Sequence, residues 1–292
     1  MSGAPPSSIG LASDAEMPAC RALLPAVFPA SGRAPEMLVA RGPEGIRAAL
    51  ALAWVPGGFP FLLHVAPAWR RAGIGRALVA RAATLAQGET PLLRAWAPVA
   101  QGSAADAFLR ACGCTLARRL LVFEADGARY SAVLSASWRR ASRRLPDGLA
   151  LQALQAAPGA AACLVAAEFG VPRPDVLARL DPAHPDAYDG RLSQLLLRDG
   201  TALGAILGRR YGDVIEVDVN VVAPELRHGV GNLMLLEALG RLSLEAGVGR
   251  FRFACEEHVR DTLNLGARSD AQRRPDQLSF HLALPVSADA AG

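Results

Sequence analysis

The sequence predicts an α+β protein built twice in tandem, each copy a mixed, mostly antiparallel sheet flanked by helices. Three observations predict it. At 292 residues the chain exceeds the roughly 100–150 residues of a common single domain. The stretch VAPAWRRAGIGRALVARAATLAQ, beginning at Val65, has an altered echo in VAPELRHGVGNLMLLEALGRLSLEAG, beginning at Val222. Before each copy come short apolar runs separated by Gly, Pro and Asp, the pattern of strands in a meander.

In the first half, EMLVA and RAALALAWV read as strands around the turn RGPEG, and FLLHVAP reads as a buried strand stopped by Pro67. A helix follows with Ile74, Leu78, Ala82 and Leu85 on one stripe and Gly88 as its stop. PLLRAWAPV is then a strand, SAADAFLRACG a helix and CTLARRLLVFEA a strand. The arginine-rich stretch that carries Arg139, Arg140, Arg143 and Arg144 before Pro146 reads as a connector. The second half repeats the order: strand LALQAL, helix PGAAACLVAAEFG, a helix near RPDVLARL, and a meander with a hairpin turn at Asp199-Gly200. A helix from about Gly231 to Glu245 and the strand RFRFAC complete the echo. The expected division is a first domain over residues 1–128, a connector over 129–146 and a second domain over 147–292.

Hydrophobic residues make up 51% and charged residues 20%, enough to bury two cores and too apolar for general disorder. The opening MSGAPPSSIG does not resemble a secretory signal, and no apolar run approaches the roughly 20 residues of a membrane span. The expectation is a cytoplasmic protein. All 31 basic residues are arginine, so a lysine-dependent phosphate loop, a pyridoxal Schiff base and a Ser-x-x-Lys pair are excluded. A net charge of +4 is modest for this length and does not by itself suggest nucleic-acid binding, so no nucleic-acid partner is expected. Five scattered cysteines give no metal-ligand spacing, so no metal is expected.

A strand that leads through Arg-Arg-Ala-Gly-Ile-Gly into a helix gathers free N–H groups and the positive helix end at one point, which suits an anion. Gly73 and Gly75 leave room for a phosphate to approach the main chain. A dinucleotide fingerprint would need a third glycine where the chain has Leu78 and Met234.

With Arg70-x-x-Gly73-x-Gly75 after a strand ending in VAP, following an antiparallel meander, the sequence resembles the GNAT superfamily of acetyl-CoA-dependent N-acetyltransferases, and the resemblance covers nearly the whole chain as two domains. It implies that acetyl-CoA is the acyl donor and a small-molecule primary amine the acceptor, in a monomer whose two domains form a pseudo-dimer or in a homodimer. It also implies a loop at Arg70, Arg71, Ala72, Gly73, Ile74, Gly75 and Arg76 that holds the pyrophosphate, with the main chain of His64, Val65 and Ala66 pairing with the pantetheine arm. The second loop is one residue shorter and has Leu226 in place of Arg70.

The family's base is often a carboxylate on the strand before the loop. In the second half that strand reads VIEVDVNVV, which puts Glu216, Asp218 and Asn220 on one face, with Asp218 placed to make Glu216 a stronger base. The first half offers His64 there. A tyrosine that protonates the leaving thiolate is missing: near its place stand Phe108-Leu109 and Leu265-Gly266. The alternative to an enzyme is a catalytically silent acyl-CoA-binding or scaffolding protein.

Overall fold

The computed structural model describes residues 8–24, 34–54, 58–145, 147–169, 173–184, 186–226 and 230–285. They form two compact units. Unit 1 comprises Met1–Arg119 with Asp276–Gly292, and unit 2 comprises Leu120–Pro275.

Unit 1 begins with strand β1 (Ser8–Leu11) and helix α1 (Met17–Leu23), followed by the meander β2 (Glu36–Gly42), β3 (Gly45–Leu52) and β4 (Phe59–Val65). Helix α2 (Ile74–Ala86), β5 (Leu92–Ala95), β6 (Val99–Ala100), α3 (Ala104–Ala111) and the start of β7 (Thr115–Asp126) come next. Strand alternation sorts the meander cleanly. Leu38, Leu50, Leu52 and Phe61 pack under α2 at Ile74, Leu78 and Ala82, while Met37, Val39, Ala49 and Ala51 face α1 at Cys20.

Unit 2 continues β7 into α4 (Gly127–Ala141), β8 (Leu149–Ala153), α5 (Pro158–Phe169) and α6 (Arg173–Leu180). The meander β9 (Gln194–Arg198), β10 (Thr201–Tyr211) and β11 (Val214–Val222) leads to α7 (Val230–Glu245), β12 (Arg250–Cys255), α8 (Arg260–Arg268) and β13 (Gln272–Ala283). Asp199 at φ 50° and Gly200 at φ 79° make the left-handed hairpin turn that the Asp-Gly pair predicts.

The units do not follow the expected boundary at residue 128. Unit 1 has strand order β1-β2-β3-β4-β5-β13, and β6 also pairs with β13. Its last strand therefore comes from the far end of the chain: His281 lies opposite Arg94 and Leu282 opposite Leu93. Unit 2 has the order β8-β9-β10-β11-β12-β7, with Phe123 of β7 opposite Phe253 of β12. The expected connector is also different. Most of it is α4, whose Tyr130, Leu134 and Trp138 form an i, i+4, i+8 stripe in the core of unit 2, so only the outer face is arginine-rich. Pro146 lies outside the described residues.

Candidate functional site

In unit 1 the site grows from a parting of two strands. Parallel pairing of β4 with β5 runs from Phe59 opposite Leu93 to Phe61 opposite Ala95 and stops there, where the Trp96 N–H donates to the Phe61 carbonyl at 2.9 Å. Odd-numbered residues of β4 present their main-chain groups towards β5, and even-numbered ones towards β3. Ala66 N–H already donates to Arg47 O at 3.0 Å, and His64 stands opposite Ala49 in β3. The edge beyond Phe61 is thus formed by Leu63 and Val65. Of the three residues expected to pair with a pantetheine arm, Val65 faces the opening while His64 and Ala66 face β3. Sequence reasoning missed Leu63, although the alternation from Phe61 points to it.

The edge leads into a braced turn. The Arg70 guanidine donates from Nε to Val65 O at 3.0 Å, and the Arg47 guanidinium lies 3.5 Å from the centre of the Trp69 ring. Arg71 has φ 67° and Gly73 φ 79°, so two left-handed residues flank Ala72 before α2 begins. Successive N–H groups in such a turn form a concavity that accepts an anion. Space is left for one: a Cβ at Gly73 would meet no atom within 4 Å. Gly73 ends this turn as the residue before the 13-residue α2, with no side chain capping the helix. Arg70, Arg71 and Arg76 are exposed around it, and Ile74 and Gly75 are buried. Gly75 is needed for packing, since a Cβ there would lie 3.0 Å from Phe108 Cε2 and 3.3 Å from Leu63 Cδ2. The Phe108 ring therefore walls the opening beside Leu63 with carbon and offers no acid.

In unit 2 the described flanks of the corresponding loop differ from those of unit 1 on one side only. Arg227, His228 and Gly229 of the shortened loop lie outside the described residues. Before them, Leu226 is buried in the core rather than exposed like Arg70; after them, Gly231 is packed as its counterpart Gly75 is, with a Cβ there 3.0 Å from Leu196 Cδ2 and 3.2 Å from Leu226 Cβ.

Glu216 and Asp218 are brought together, but the strict alternation expected of β11 breaks at Asp218. The register jumps there, with Leu207 opposite Val219 and Gly208 opposite Val217, so Asp218 is the extra residue of a β-bulge. In consequence Ile215 and Val217 pack beside α7, while Val219 and Val221 pack with α5 on the other face. Asn220 leaves the acidic pair and accepts its place next to α7, donating from Nδ2 to Asn232 Oδ1 at 2.8 Å. Arg209 stands between the two carboxylates, donating from Nη2 to Glu216 Oε1 at 3.0 Å and to Asp218 Oδ1 at 3.3 Å. Asp218 also accepts from Arg179 at 2.6 Å and from the Tyr188 hydroxyl at 2.9 Å. Both carboxylates are thus held in ion pairs with the same guanidinium.

Glu216 belongs to a ladder of alternating charges across directly opposed residues: Arg209 and Glu216, Glu216 and Arg252, Arg252 and Glu124. Glu124, buried on β7, accepts from Arg250, Arg252 and Arg274. Burial alone would raise its carboxyl, but the hydrogen bonds and charges of Arg252 and Arg274 outweigh it and hold the group at about 2. Of the tyrosines, Tyr130 is stacked on Phe251 in the core, and burial pushes the Tyr188 phenol up, away from use as an acid near neutrality.

Each unit has a meander whose last strand pairs in parallel with the strand that follows the next helix, and this is the fold of the GNAT N-acetyltransferases in tandem. Known structures carry the same fold. A tandem GNAT protein from the clavulanic acid biosynthesis pathway matches with a TM-score of 0.58 at 20% identity, over 89% of this chain and 86% of that one. A GCN5-related N-acetyltransferase from Sphaerobacter thermophilus gives 0.54 at 16% identity, over 86% and 81%. One from Anabaena variabilis gives 0.60 at 13%, over 95% and 73%. No family model and no curated protein matches the sequence. Among the described residues no group of three or more His, Cys, Asp or Glu could hold a metal ion, and no helix is long and apolar enough to cross a membrane.

Proposed function

We propose that the protein transfers an acetyl group from acetyl-CoA to a primary amine of a small molecule, and that unit 1 holds the donor. The observation that carries this reading is the run from the Leu63–Val65 edge into the open turn at Gly73, which offers a strand for an amide-bearing arm and a concavity for its diphosphate. The buried Leu226 in the place of the exposed Arg70 favours unit 1 over unit 2. In this reading an N–H at the edge polarises the thioester carbonyl, and the amine nitrogen attacks its carbon. Collapse of the tetrahedral intermediate expels the thiolate of coenzyme A, and the amine's proton passes to a base.

His64, half-exposed and next to the edge residues, is the base. Phe108 supplies no proton to the thiolate, which leaves that step to water. In this reading Glu216 and Asp218, both paired with Arg209, serve the structure of unit 2. The five cysteines are free thiols, which fits the cytoplasmic setting that belongs to this reading. The test has two stages: calorimetry with acetyl-CoA, then thiol release against a panel of amines. Binding followed by amine-dependent release supports the reading. Binding without release from any amine leaves a silent acyl-CoA binder, and absence of binding removes unit 1 as a donor site.

A further inference from the structure

The two faces of the unit 1 sheet differ at the point where β4 and β5 part. On the α2 face, Leu63, Phe61, Ala95, Leu278 and Phe280 belong to the core, and Phe108 closes over Leu63. An amine cannot approach a thioester through packed carbon. On the opposite face, alternation places His64 between Leu63 and Val65, Ser279 and His281 on either side of Phe280, and Trp96 directly after Ala95. All four are only partly buried. Helix α1 packs on this face further along, against Met37 and Val39 of β2 and Ala49 and Ala51 of β3.

Charge on this face is one-sided. Arg94 is exposed, opposite His281 in β13, with its guanidine passing beside Gly58. No Asp or Glu stands on this face of β4, β5 or the unit 1 part of β13. A second ammonium on the acceptor would meet Arg94 with no carboxylate on these three strands to balance it, whereas an anion would be drawn to that position. From Trp96, the residue after β5, back to Arg94 is two residues of extended chain, about 7 Å.

We propose that this face is the acceptor site: His64 and Trp96 receive the amine at the parting of the strands, Ser279 and His281 line the approach, and Arg94 draws an anionic group about 7 Å away. The acceptor is an amine that carries a carboxylate or phosphate several bonds from its nitrogen. Two of the lining residues come from the end of the chain, so the last strand completes the site as well as the sheet. The proposal rests on acetyl-CoA binding in unit 1.

The test uses the full-length protein and 4-aminobutyrate, phosphoethanolamine, ethanolamine and putrescine as acceptors. Both anionic amines should show lower KM than ethanolamine, and putrescine the highest. The better of the two anions identifies carboxylate or phosphate as the group held. Arg94→Ala should erase the preference for the anions. His281→Ala should raise the KM of the best acceptor about tenfold, the loss expected for one hydrogen-bonding contact, with acetyl-CoA binding unchanged by calorimetry. His281→Gln should restore part of it, and equal melting temperatures separate this from misfolding. Preference for putrescine, or wild-type KM values in both His281 variants, overturns the acceptor site while the donor reading stands. Acetyl-CoA binding without turnover of any of these amines does the same, and loss of acetyl-CoA binding in the wild type overturns both.

Discussion

Substituting Gly73 separates the cost to the protein from the cost to the ligand. Gly73 has φ 79°, and a Cβ there would meet nothing within 4 Å. Gly73→Ala and Gly73→Glu therefore share one penalty in the free protein, the left-handed backbone, about 1–2 kcal/mol. That corresponds to a fall in Tm of a few degrees with the fold intact. Towards a bound diphosphate the two differ. Alanine adds a methyl group in the concavity. Glutamate adds a charge about 5 Å from the nearest phosphate, and at an effective dielectric of about 20 each pair of unit charges costs about 3 kcal/mol, more than a hundredfold in Kd. Calorimetry should show a graded loss, modest for alanine and complete at accessible concentrations for glutamate, with nearly equal melting curves. Equal affinity of Gly73→Glu and wild type would refute the placement of the diphosphate at this turn.

Glu216→Gln should leave turnover within about twofold while lowering stability, because its two oxygens accept from Arg209 of β10 and Arg252 of β12 in the charge ladder; a loss of turnover of a hundredfold with an altered pH-rate profile would make it the base after all. His64→Gln should cut kcat by about a hundredfold or more without changing acetyl-CoA affinity, and an unchanged kcat would remove His64 from the chemistry. Glu124 is held at about 2 against an ordinary 4.5, so its contribution to unit 2 is full above that ordinary value and is lost as pH falls towards 2. Denaturant melts of wild type and Glu124→Gln should differ at neutral pH and converge in acid; parallel curves would contradict the pairing. Removing residues 276–292 should leave unit 1 without Leu278 and Phe280 in its core and make the chain insoluble, as should expressing residues 1–128 alone; a soluble, active product of either kind would refute the strand exchange.

What the sequence discloses follows the range of the interactions. The glycine turn is legible because the left-handed backbone and close packing are local demands that Gly73 and Gly75 meet within three residues. The meander is legible from its Asp-Gly hairpin and its alternation. The bulge is not, since VIEVDVNVV alternates perfectly and the register slip at Asp218 is decided by β10 across from it. α4 could have been found: Tyr130, Leu134 and Trp138 recur at helical spacing beneath the arginines that suggest a linker. The exchange of β7 and β13 leaves no local mark, because a strand's own residues do not say which sheet edge it completes. Ser279 and His281 were invisible as site residues for that reason, lying more than 180 residues from Trp96.

The central claim, that the donor lies in unit 1, is tested most directly by the density in a crystal soaked with acetyl-CoA. A diphosphate should lie against the N–H groups between Arg71 and Arg76, and a pantetheine arm beside Leu63 and Val65 with the thioester at the parting of β4 and β5. A cofactor found instead at the start of α7, with the turn at Gly73 empty, would contradict it.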